Sequence, residues 1–67
     1  MQTQDMVRMA NQIADYFKAY PEERAVTDTA YHLKSFWDPR MLGQLKAHLK
    51  SGGEGLSPLV LKAAAKL

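Results

Sequence analysis

Three prolines divide this 67-residue chain into four segments, each with a helical period. Proline disfavours the helical conformation at the residue before it but is tolerated in the first turn of a helix. Within each segment apolar residues recur at spacings of three and four, and no segment alternates like a strand over more than a few residues. The sequence therefore predicts an all-α fold, a small bundle of three to four short helices in a single domain over residues 1–67.

The predicted helices span about residues 4–19, 22–36, 39–51 and 58–67, with a Gly-rich linker at 52–56. Pro21 ends the first helix and can serve as an early position of the second, while Gly52 is a natural left-handed cap for the third. Apolar stripes predict which side chains are substantially buried. These are Ile13, Phe17, Leu33, Trp37, Leu42 and Leu45.

Two helix starts follow the same local pattern. Asp38 and Ser57 each precede a proline, which places an oxygen-bearing side chain at the N-cap and proline at the first helical position. Trp37 then precedes the cap of the third helix, where it can form a hydrophobic staple with Leu42. The stretch around Asp38 therefore has a structural explanation.

The charge is unevenly distributed along the chain. Residues 1–38 carry six acids and four bases, whereas residues 39–67 carry Glu54 and five bases. A basic half can bind nucleic acid or an acidic protein, although five spaced bases more often form an ordinary solvated face. All six aromatic residues precede Asp38, which is the wrong layout for stacking bases inside a positive groove.

The sequence predicts no catalytic, cofactor-binding or metal-binding residues. It has no cysteine, and its two histidines, His32 and His48, lack a metal-type spacing. Asp28 lies one turn before His32 and could contact it, but no serine or cysteine nucleophile sits at a recognisable spacing. No export signal or membrane-length apolar run is present, so a cytoplasmic protein without membrane contact is expected.

Several residues have no evident structural explanation. Arg40 falls in the first turn of the third helix, where the positive end of the helix dipole disfavours a cation. Pairing with Asp38 or with an acid of the second helix would explain it, and so would anchoring to a partner, since aromatic residues, Met and Arg are enriched at interfaces. The predicted partner-binding residues are Asn11, Gln12, Phe36, Trp37, Asp38, Pro39, Arg40 and Met41.

The chain resembles the delta subunit of the soluble NAD-dependent, molybdenum-containing formate dehydrogenases. The resemblance rests on MANQI at residues 9–13, on Phe17 and above all on HLKSFWDPRM at residues 32–41. Behind these come the leucine-bearing third helix and the tail LSPLVLKAAAKL at residues 56–67. The resemblance covers most of the chain.

This resemblance implies a noncatalytic accessory subunit of a cytoplasmic complex that passes electrons from formate to NAD⁺. It further implies a large catalytic alpha subunit with bis-molybdopterin guanine dinucleotide and iron–sulfur clusters, and beta and gamma diaphorase subunits with FMN and further clusters. The delta chain would dock on the catalytic subunit and stabilise it or help assemble it. A small basic helical module that binds nucleic acid or protein remains the alternative, and an independent small enzyme is a remote third hypothesis.

Overall fold

A computed structural model describes residues 2–67 of the chain. This part forms four α-helices and no strand: α1 (Thr3–Phe17), α2 (Glu22–Phe36), α3 (Pro39–Lys50) and α4 (Pro58–Ala64). The predicted all-α class is confirmed. Helix α1 contacts the other three helices, and α2 also packs against α4.

The first, third and fourth helices end earlier than predicted. Helix α1 ends at Phe17 instead of Ala19, because the Tyr20 N–H donates to the Phe17 carbonyl in a turn that leads into Pro21. Helix α4 ends at Ala64 instead of Leu67, since the Leu67 N–H bonds back only three residues, to Ala64. Helix α3 ends one residue early, at Lys50, because glycines follow it.

The predicted helix starts are confirmed at α3 and α4. Asp38 is the N-cap of α3, and its Oδ1 accepts the Met41 N–H at 2.8 Å. Ser57 is the N-cap of α4, and its Oγ accepts the Val60 N–H at 3.3 Å. Pro21, predicted at an early helical position, is instead the N-cap of α2, with an extended ψ of 146°.

The C-terminus of α3 closes with two backbone hydrogen bonds to the glycines that follow it. The Gly52 N–H donates to Leu49 at 3.1 Å and the Gly53 N–H to His48 at 2.9 Å, which is the Schellman pattern. Gly52 has a φ of 115° and Gly53 a φ of 65°, in the region that favours glycine. The predicted cap at Gly52 is therefore confirmed.

The main core lies where α1 meets the other helices. Its buried members are Met6, Ala10, Ala14, Leu33, Trp37, Leu45, Leu56, Val60 and Ala64. Burial of Leu33, Trp37 and Leu45 was predicted correctly. Ile13, Phe17 and Leu42 are only half-buried. The inward side chains of α1 are Met6, Ala10 and Ala14, which leaves Ile13 and Phe17 at the edge of the contact. Leu42 of α3 packs against the core without being enclosed by it.

Helices α2 and α4 meet through small side chains. A second buried cluster consists of Val26, Ala30 and Ala63, and Ala25 is buried on the same helix as Val26. Thr29 is fully buried beside them, and its Oγ1 has no hydrogen-bond partner among residues 2–67. A buried hydroxyl without a partner lowers stability.

Candidate docking surface

Six side chains from α1, α2 and the turn between them form a surface that we call the aromatic face. Its members are Ile13, Tyr16, Phe17, Tyr20, His32 and Phe36. Spacings of three and four residues bring Ile13, Tyr16 and Phe17 together on α1, as the spacing of four does for His32 and Phe36 on α2. The face therefore follows from the helical register.

Phe17 lies at the centre of the aromatic face. Its ring centroid is 5.0 Å from that of Tyr16, 6.3 Å from Tyr20 and 6.1 Å from His32. The ring of His32 in turn lies 4.6 Å from that of Phe36, at an interplanar angle of 32°. These separations are those of interacting aromatic pairs, so the face is continuous across both helices.

Much of the aromatic face is open to solvent. Tyr16 and Phe36 are each 73% exposed, and Tyr20 is 38% exposed. A shallow apolar depression of about 280 Å³ lies among Ile13, Tyr16, Phe17 and His32. Scattered exposed apolar residues are normal on a soluble protein, whereas large contiguous patches of them are typical of interaction sites.

One edge of the aromatic face carries charge. The Arg24 guanidinium lies 4.5 Å from the Tyr20 ring centroid, and its Nε lies 3.3 Å from Asp28 Oδ2. Asp28 is therefore engaged with Arg24, whereas the sequence suggested a contact with His32. This leaves the His32 ring against Phe17 and Phe36.

The predicted partner-binding residues fall into two groups. Phe36, Gln12, Pro39 and Arg40 are exposed. Among the residues that the structure describes, no carboxylate forms an ion pair with Arg40, so the alternative of pairing with Asp38 is not observed. Contact of these four exposed residues with a partner stays a prediction.

The other predicted residues have roles inside the chain. Trp37 is 6% exposed and belongs to the core, and Met41 is half-buried against that core. The Asp38 carboxylate caps α3. Asn11 Nδ2 donates to the Gly55 carbonyl at 2.9 Å, and Asn11 Oδ1 accepts the Ser57 N–H at 2.9 Å. These contacts explain why such residue types stand at these positions.

Sequence reasoning missed five members of the aromatic face as surface residues. Ile13 and Phe17 were assigned to the core, and Tyr16, Tyr20 and His32 were not singled out for binding. The signal that could have found most of them is helical spacing. Ile13 lies three and four residues before Tyr16 and Phe17, and His32 lies four residues before Phe36.

The described residues contain neither a metal-ion cluster nor a membrane-spanning helix. In residues 2–67 no three His, Cys, Asp or Glu side chains converge to hold a metal ion. None of the four helices described has the length and apolar character needed to cross a membrane.

Comparison with known proteins identifies the family. Neither the curated proteins nor the solved structures include a match. Residues 5–64 match the family model described as "NADH-dependant formate dehydrogenase delta subunit FdsD". This match spans nearly the whole chain and includes all four helices except the first two residues of α1. The chain therefore belongs to the FdsD family of formate dehydrogenase delta subunits.

Proposed function

We propose that the chain is a noncatalytic accessory subunit that docks on the large catalytic subunit of an NAD-dependent formate dehydrogenase complex. Docking would stabilise the catalytic subunit or help it assemble. The observation that carries this proposal is the aromatic face, whose Tyr16 and Phe36 rings are each 73% exposed in the chain alone. Membership of the FdsD family supplies the identity of the complex.

The aromatic face has the physical properties of an interface centre. Burying one large apolar side chain contributes roughly 1.5–3 kcal/mol, and aromatic residues are common among the few that dominate binding. Phe36 is already held against His32, at 4.6 Å between ring centroids. Less side-chain entropy is lost when such a ring is covered by a partner, which favours docking.

The chemistry of the complex lies in its other subunits under this proposal. The catalytic alpha subunit would hold the molybdenum centre, with iron–sulfur clusters there and in the beta and gamma subunits, and FMN in the diaphorase pair. Formate oxidation and NAD⁺ reduction are then reactions of the whole complex. The contribution of this chain is surface contact, made in the cytoplasm.

Co-purification with two matched variants tests the proposal. The tagged chain is expressed in a native host, and the proteins retained with it are identified. Phe36→Ala removes an exposed ring of the aromatic face, while Tyr31→Ala removes an equally exposed ring (71%) on the same helix but outside that face. Wild type and Tyr31→Ala should retain the large molybdenum-containing subunit, and Phe36→Ala should bind it about 30-fold more weakly.

Two results would contradict the proposal. One is retention of nucleic acid and no formate dehydrogenase subunit, which would support the alternative of a basic binding module. The other is formate oxidation by the isolated chain, which would show that it is not an accessory subunit. If Phe36→Ala and wild type retain the large subunit equally, the aromatic face is not the docking surface.

A further inference from the structure

The outward side of α3 is basic and carries no acid. Five exposed residues lie along it, and we call them the basic strip: Arg40, Gly43, Lys46, Ala47 and Lys50. Because they are spaced by three or four residues, they share one side of the helix. At 1.5 Å rise per residue the strip is about 15 Å long. It holds three cations, two small residues and no acid.

The positive charge of the basic strip is not neutralised within the described chain. Four of the six other cations form ion pairs: Arg8 with Asp5, Lys18 with Asp15, Arg24 with Asp28, and Lys62 with Glu22. Lys34 and Lys66 form none within residues 2–67, but they stand singly on other segments. None of the carboxylates of residues 2–67 comes within ion-pair distance of the three cations of the strip. Three cations on one helix side therefore remain available to an external acid.

Gly43 is a second, independent observation that favours close approach of a partner to the α3 backbone. Glycine weakens the interior of a helix, so an exposed helical glycine calls for a local reason. A Cβ at Gly43 would meet nothing within 4 Å, so no contact inside the chain requires its absence. Ala47 lies one turn further on, and together these residues leave the α3 backbone bare between flanking cations.

We propose that the basic strip takes an acidic helix of the large subunit of the formate dehydrogenase complex, laid across Gly43 and Ala47. Small residues at a helix contact let two backbones approach closely, and carboxylates on the incoming helix would reach Arg40, Lys46 and Lys50. This inference rests on the proposed function, because it assigns the strip to the same complex as the aromatic face.

A protein partner fits the basic strip better than nucleic acid does. Phosphate contacts need cations but gain nothing from a bare backbone at Gly43, and the strip has no aromatic ring on which a base could stack. An acidic helix fits both the row of cations and the bare backbone at Gly43. Its carboxylates can repeat with the same helical period as the cations, and its backbone can approach at the glycine.

Binding of the chain to the purified large subunit of the complex tests this inference. The dissociation constant is measured at 50 and 300 mM NaCl for wild type, Lys46→Glu/Lys50→Glu and Gly43→Gln. Matched controls on α2 are Lys34→Glu and Thr27→Gln, both at exposed positions. Circular dichroism on each variant checks that it remains helical.

The inference makes a distinct prediction for each variant. Wild-type binding should weaken with added salt. The double charge reversal should weaken binding about tenfold or more at 50 mM NaCl and remove most of the salt dependence. Gly43→Gln should also weaken binding about tenfold, although glutamine is the better helix former. Both controls should stay within about twofold of wild type.

The outcomes separate this inference from the proposed function. If wild type binds, Phe36→Ala does not, and both strip variants bind like wild type, the basic strip is not a contact while the docking role stands. If wild type fails to bind the large subunit, both proposals fall. Binding to a 20-base-pair DNA duplex that Lys46→Glu/Lys50→Glu loses and Gly43→Gln keeps would assign the strip to nucleic acid and overturn the inference.

Discussion

The side-chain amide of Asn11 joins α1 to the N-cap residue of α4, 46 residues later in the chain. Its Oδ1 accepts the Ser57 N–H at 2.9 Å, and its Nδ2 donates to the Gly55 carbonyl at 2.9 Å. One amide thus satisfies a backbone acceptor of the Gly-rich linker and the backbone donor of the N-cap residue that follows it. The same linker is held from α3, where His48 Nε2 lies 2.8 Å from the Glu54 carbonyl oxygen.

Replacing Asn11 with alanine should destabilise the fold. The Ser57 N–H and Gly55 carbonyl would lose their partner, and a partly buried polar group left unsatisfied costs about 1–3 kcal/mol. The free energy of unfolding, measured by urea denaturation, should fall by that amount. Gln12→Ala is the control, because Gln12 is exposed and adjacent. Equal stability of the two variants would show that the linker is held by other contacts.

Thr29→Val should leave the protein as stable as wild type or more stable. The Thr29 hydroxyl is fully buried without a partner among residues 2–67. Replacing it with a methyl group of similar size removes a desolvation cost of about 1–3 kcal/mol. Thermal unfolding measures the effect, and Thr27→Val on the exposed side of α2 is the control. A clear loss of stability in Thr29→Val would mean that the hydroxyl has a partner after all.

Alanine should have opposite effects at Gly53 and at Gly43. Gly53 has a φ of 65°, and a Cβ there would lie 3.0 Å from Leu61 Cδ2, so alanine should cost about 1 kcal/mol or more. At Gly43 a Cβ meets nothing within 4 Å, and alanine should stabilise α3 by up to about 1 kcal/mol. Urea denaturation of the two variants checks the signs. The same sign at both positions would contradict this backbone argument.

Arg40 should matter to the complex more than to the free chain. Its replacement by alanine should cost the free chain at most about 1 kcal/mol, because its side chain is exposed and forms no ion pair within the described residues. Loss of an anchor at an interface typically costs 2 kcal/mol or more, about 30-fold in affinity.

Arg40→Lys separates charge from geometry. Lysine keeps the charge but loses the planar two-pronged hydrogen bonding, so it should restore assembly only in part. Co-purification with the large subunit is the measurement for both variants. Undiminished recovery of that subunit with Arg40→Ala would leave SFWDPRM, residues 35–41, as a helix junction without a binding role.

The free chain should be only marginally stable. A domain of about this length buries roughly 60% of the surface that its unfolded chain exposes, and no disulfide strengthens it. Partner contact would then supply part of its order. Far-UV circular dichroism of the isolated chain is the measurement, and a sharp cooperative melt above about 70 °C would contradict this expectation.

Local features of the fold were predictable because their causes lie within a few residues. Asp38 and Ser57 cap the helices that follow them, and Gly52 ends α3, each through hydrogen bonds that span at most five residues. Leu33 was correctly placed in the core. Contacts of such short range can be predicted from a few consecutive residues.

Features that depend on distant partners were not predictable. Ile13 and Phe17 were predicted to be buried because they continue the apolar stripe of α1, yet the packing of the other helices encloses Ala10 and Ala14 more fully. Asn11 looked like a partner contact because the residues it binds lie more than forty positions away. For the candidate site, Phe36 was identified from the sequence, but its grouping with Phe17 required the packing of α1 on α2.

The small side chains between α2 and α4 also determine which mutations this part of the protein can accept. Ala30 and Ala63 have little left to remove, so truncation there cannot create a large cavity. Enlarging them forces two helices apart, which is costly in a close-packed interior. In a saturation scan, glycine at these sites should therefore cost less stability than leucine or phenylalanine. At a large core residue such as Leu33 the smaller substituent should cost more.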